Sequence, residues 1–70
     1  MNYQTIESLT SSDVAERLSD DRYYPDASFY ASAGSLDEVA AGLRDAARQE
    51  EDPEWSARYL EDAELVESYI

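Results

Sequence analysis

"DPEWSARYLEDAELVESYI", residues 52–70, decides the fold. Asp52 carries the short oxygen-bearing side chain that accepts from free N–H groups at a helix start. Pro53 suits the first helical position, and Glu54 complements the positive helix end. Beyond them Trp55, Tyr59, Ala63, Val66 and Ile70 recur at helical spacing, with Leu60 on the flank. The pattern predicts a helix over 53–69 with those residues on its inner face.

The preceding stretch, "GSLDE" at 34–38, is a second start. Ser35 as N-cap and Glu38 three residues later form a capping box. Leu36, Val39, Ala40, Leu43 and Ala47 then make one apolar stripe, which predicts a helix over 36–50. Gly42 weakens that helix slightly but permits close packing. Trp55 and Ile70 are expected to share a buried stripe facing Leu36, Val39 and Leu43. Further back, "TSSDVAERLSDD" at 10–21 offers Thr10 as cap and Asp13 three residues on, with Val14 and Leu18 facing inward. It predicts a helix over 11–20. Between these, residues 22–34 are rich in tyrosine, and Tyr24-Pro25-Asp26-Ala27 reads as a turn. Its flanks alternate well enough for a short β-hairpin, and an irregular aromatic loop fits equally. The expected fold is mainly α: a single domain over 1–70, a small bundle of about three helices.

Composition narrows function. Seventeen Asp and Glu stand against five Lys and Arg, giving a net charge of −12 over 70 residues without histidine or cysteine. Such charge repels nucleic acid and anionic membranes, so direct binding to either is not expected. Low hydropathy with high net charge also fits disorder, but six tyrosines, a tryptophan and the amphipathic stretches favour a folded chain. Disulfides and thiolate metal sites are excluded. No apolar run approaches a signal or membrane segment, and a cytoplasmic location is expected (the host's, if the chain is phage-borne).

Catalysis is not expected either. Paired carboxylates need one partner in an apolar pocket, and Ser or Tyr needs a base to activate it. The run Glu50-Glu51-Asp52-Glu54 attracts cations but lacks the glycine-centred alternation of a calcium loop. No catalytic residue, cofactor or metal is therefore assigned.

Three resemblances bear on function. "GSLDEV" at 34–39, with the ending "SYI", resembles the acyl carrier proteins, in which a serine opening the second helix carries phosphopantetheine. That likeness implies Ser35 as the attachment point, although Gly34 stands where the family has aspartate. "LTSSDVAERL" at 9–18 resembles the opening helix of helix-turn-helix DNA binders. Asp20-Asp21 and a proline turn then stand in place of a basic recognition helix.

The third concerns the acidic faces. Asp13, Glu16 and Asp20 lie at i, i+3 and i+7, opposite Val14 and Leu18. Glu61 and Glu64 share an outer face, with Glu54 two turns earlier and Glu67 nearby. Neighbours at such spacings stand about 5–6 Å apart, close to the charge spacing of a phosphate backbone. Solubility alone asks for a net charge of only about 2–8 in a small domain. In size, charge and lack of catalytic equipment the chain resembles the small acidic phage-borne inhibitors, the anti-CRISPR and antirestriction proteins that mimic nucleic acid. The resemblance implies binding to a basic nucleic-acid groove of a defence complex. The expected partner surface comprises Asp13, Glu16, Asp20, Asp21, Glu50, Glu51, Asp52, Glu54, Glu61, Glu64 and Glu67. Tyr23, Tyr24 and Tyr30 would serve as rigid anchors. Arg44 and Arg48 are expected to form local ion pairs. The rival reading is an acidic helical interaction module from a salt-adapted or GC-rich organism.

Overall fold

The computed structural model describes residues 2–21 and 33–70. Within them the chain forms four helices and no strand: α1 (Tyr3–Leu9), α2 (Ser12–Ser19), α3 (Leu36–Gln49) and α4 (Pro53–Glu67). The expected hairpin or loop over 22–34 lies almost wholly outside the described residues. α3 and α4 pack along their lengths as a helical hairpin joined by residues 50–52. α1 and α2 form a second, shorter pair, which reaches α4 through α2.

Each helix starts where a side chain satisfies a free N–H. Ser35 Oγ accepts from Glu38 N–H at 3.3 Å, and Asp52 Oδ1 accepts from Glu54 N–H at 2.9 Å, as expected. Glu38 reciprocates one residue early, accepting from Gly34 N–H at 2.9 Å. The cap of α2 differs from expectation. Ser11 Oγ accepts from Val14 N–H at 3.2 Å, while Thr10 Oγ1 donates to Ile6 O at 2.6 Å and closes α1. Thr10 is occupied because a helix ends on it. That helix was not expected: α1 is capped by Asn2, whose Oδ1 accepts from Thr5 N–H at 2.9 Å, and it buries Ile6 alone.

The core joins Val39, Ala40, Leu43, Ala46 and Ala47 of α3 to Tyr59, Ala63 and Val66 of α4. Val14, Ala15 and Leu18 of α2, Ile6 of α1 and Ala33 complete it, with Leu36 and Trp55 packed at its edge. Its alanines let helix axes approach closely. Ser56 ties the hairpin's closed end, donating from Oγ to Ala47 O at 2.7 Å. Ile70 departs from the expected stripe and is 64% exposed. Regular helix ends at Glu67, and Tyr69 and Ile70 donate to Val66 O and Glu67 O, three residues back. That tighter winding rotates Ile70 off the inner face. The inner position that an apolar stripe does not anticipate is taken by Asp62, which is fully buried.

Leu43→Ala should therefore cost about 2–5 kcal/mol, the usual range for emptying a packed leucine site. Ile70→Ala should stay within about 0.5 kcal/mol of the parent. Urea melts of the two variants check the register, and equal losses would contradict it.

Candidate functional site

The exposed surface is dominated by carboxylates, but the arginines decide which remain available. Arg44 of α3 reaches across to Glu67 of α4, Nε to Oε2 at 3.1 Å with Nη2 on Oε1. Its guanidinium holds the Glu67 carboxyl below its usual range. Arg48 pairs with Asp45 one turn earlier at 2.7 Å. Arg48 thus makes the local pair expected of it, while Arg44 bridges two helices. Arg17 of α2 donates from Nη2 to Glu61 at 2.9 Å and from Nε to the buried Asp62.

Arg58 of α4 is the last of the four described arginines. Its Nε donates to Asp21 Oδ1 at 2.8 Å and its Nη2 to the Arg17 carbonyl at 3.0 Å. The guanidinium carbon lies 5.4 Å from the centre of the Trp55 ring, within cation–π range. Trp55 in turn tilts against Tyr59 with ring centres 5.8 Å apart. The seam between α2 and α4 is thus two guanidinium groups laid over two carboxylates.

Asp21 and Asp62 face one another there with fully buried side chains. Counting heavy atoms alone, Oδ2 of each has no hydrogen-bond partner. One proton resolves both. Burial, then the hydrogen bond to Asp62 and that residue's charge, pushes the Asp21 carboxyl up to about 8, against the lowering pull of Arg58. In its protonated form Asp21 would donate to Asp62 and still accept from Arg58.

These contacts sort the expected partner surface. Asp21 is removed from it, because its side chain is buried beneath Arg58. Glu61 and Glu67 are exposed but paired. Glu50 accepts from Asp52 N–H at 3.1 Å and Asp52 caps α4, so both serve the α3–α4 junction. Asp13, Glu16, Asp20, Glu51, Glu54 and Glu64 are exposed, and none forms an ion pair with a described arginine. Glu7 of α1 joins them. Sequence reasoning missed it together with its helix. Tyr23, Tyr24 and Tyr30 lie outside the described residues.

Among the described residues no group of three or more acidic side chains is gathered closely enough to hold a metal ion. No described helix is long and apolar enough to cross a membrane. Ser35, which the carrier-protein likeness singles out, is half-buried with its hydroxyl engaged in capping α3. No protein-family model, curated protein or solved structure matches the chain.

The buried pair has a pH signature. The folded value of Asp21 lies above its ordinary 3.8, so folding takes up a proton between that value and about 8. Its contribution is complete at acid pH and is lost as pH rises through about 8. Glu67 runs the other way, its contribution present at neutral pH and lost on acidification. Stability should therefore fall between about pH 5 and about pH 8, by at most about 1.4 kcal/mol per pH unit for one proton, and level off above that. Asp21→Asn replaces the shared proton by an amide N–H, so it should flatten that slope and melt above the parent at the alkaline end. An unchanged slope in urea melts of the variant would place the titration elsewhere.

Proposed function

We propose that this chain is an acidic inhibitor that occupies the basic nucleic-acid groove of a DNA- or RNA-binding defence complex, of anti-CRISPR or antirestriction type, and excludes its target. The observation that carries the reading is where the arginines lie. Arg17 and Arg58 turn into the α2–α4 seam, Arg44 bridges α3 to α4, and Arg48 folds back on its own helix. A surface built for solubility needs only scattered charge. Here the outward faces of α1 and α2 keep Glu7, Asp13, Glu16 and Asp20 free of described guanidinium partners.

Two of those intervals, Asp13 to Glu16 and Glu16 to Asp20, are one helical turn each. Carboxylates about 5–6 Å apart on a rigid helix repeat on the length scale of a strand carrying one phosphate per about 3.4 Å of duplex axis. A basic groove thus meets charge at a spacing it already accommodates. Docked helices hold it with less ordering cost than flexible side chains on a loop.

Association of this kind is steered by charge, so inhibition of target-DNA binding should weaken as salt rises, and DNA should compete. Asp13→Lys with Glu16→Lys should reduce inhibition at least about tenfold, while the same reversal at Asp37 and Asp45, both on α3 and outside that surface, costs less. Gel-shift inhibition of a CRISPR effector or restriction complex checks this, with circular dichroism to confirm folding. Equal inhibition by both pairs would remove the mimic reading. Melting temperatures that keep climbing to molar NaCl, without inhibition, would support salt adaptation instead.

A further inference from the structure

Where α1 meets α2, Tyr3, Ile6, Ala15, Leu18 and Ser19 line a notch of about 70 Å³. Sites for drug-sized molecules run to about 300–1,000 Å³, so this one has room for the end of a single side chain. Its floor is apolar: Ile6, Ala15 and Leu18 are all buried. One wall is the ring of Tyr3, which is 45% exposed. The rim is anionic. Besides its own partial desolvation, the charges of Glu7, Glu16 and Asp20 reach the Tyr3 hydroxyl and push its ionisation above the usual range. No described arginine answers them, for Arg17, the cation of α2, is turned away onto Asp62 and Glu61.

An apolar floor, an aromatic wall and a carboxylate rim match one kind of side chain. Long cationic residues lay a methylene stem on apolar surface and keep the charged head at its edge. Arginine fits better than lysine: its planar guanidinium stacks on a ring and spans two carboxylates, whereas an ammonium is a compact, strongly hydrated point charge. A metal ion fits poorly, since the hollow itself presents carbon where a hard cation needs converging oxygens. We propose that this notch seats an exposed arginine side chain of a basic protein partner, the stem on Ile6 and Leu18 and the guanidinium among Glu7, Glu16 and Asp20. The partner's identity as a nucleic-acid-binding complex rests on the function proposed above; the arginine seat itself does not.

Fluorescence anisotropy with a labelled hexa-arginine peptide, at about 50 mM NaCl where screening is weak, tests the seat directly. Ser19→Leu fills the notch without changing charge, and Tyr3→Leu removes the ring; both positions are exposed and folding is checked by circular dichroism. Each should weaken binding about fivefold, and Glu16→Gln with Asp20→Asn about tenfold, while the equal charge change Glu51→Gln with Glu54→Gln costs under about twofold. Hexalysine should bind more weakly than hexa-arginine. The proposal is overturned if no peptide binding is seen, if both notch variants bind like the parent, or if the two neutralised pairs lose affinity equally. The gel-shift assay separates the two readings. Arginine binding without displacement of DNA keeps the seat and removes the mimic. Displacement undiminished by Ser19→Leu and Tyr3→Leu keeps the mimic and removes the seat.

Discussion

Asp62 is the residue on which the arrangement depends. It sits on the buried face of α4, between Tyr59 and Ala63, with its side chain wholly shielded from water. An isolated carboxylate there would cost several kcal/mol, and the chain meets that cost with Arg17 from α2, Arg58 from its own helix and the proton of Asp21. α1 and α2 touch the α3–α4 hairpin far less than α3 and α4 touch each other. The ionic seam therefore does much of the orienting. A pair of this kind stabilises little relative to well-packed apolar residues, but losing one partner strands the rest and costs about 3–5 kcal/mol.

The same seam shapes the surface. With a net charge of −12, the chain has few cations to distribute. Two of the described arginines go to a buried contact and two to lateral pairs, so none of these four offsets the carboxylates on the outer faces of α1 and α2. Self-repulsion among these carboxylates opposes compactness, and salt screens it over about 8 Å at physiological ionic strength. A chain selected for stability alone would set its arginines among the free carboxylates of α2. Their placement trades surface repulsion for an oriented pair of helical hairpins.

Much of this was legible in the sequence, and the exceptions have physical causes. Ser35 and Asp52 read correctly as caps because each precedes a strong apolar period, so cap and stripe agree. Thr10 misled because three adjacent hydroxyl residues, Thr10, Ser11 and Ser12, can all cap, and only the presence of α1 decides among them. That helix left no periodic signal, since seven residues with Ile6 as their sole buried member cannot make a stripe. Ile70 continued the period of α4, but the tighter winding that follows Glu67 turned it outward. For the candidate site, the outer face of α2 followed from spacing, whereas the burial of Asp21 did not. A carboxylate reads as surface unless its partners are known, and those of Asp21 lie far along the chain, at Arg58 and Asp62. The spacing of Arg58 and Asp62, four apart on a helix, was the hint that the sequence held.

The two proposed features sit on opposite sides of this constraint. The arginine-sized notch is formed within the α1–α2 pair, from Tyr3 and Ile6 on one helix and Ala15, Leu18 and Ser19 on the other. Its geometry does not involve the buried seam. The larger acidic surface does, because the relation of Glu16 and Asp20 on α2 to Glu64 and Glu54 on α4 is set by how Asp21 and Arg17 dock on Asp62. Loss of the shared proton would leave two facing carboxylates beneath the two guanidinium groups and weaken the contact between α2 and α4. A partner that reads one notch would tolerate that loosening. A long groove that must meet charges on both pairs of helices at once would not.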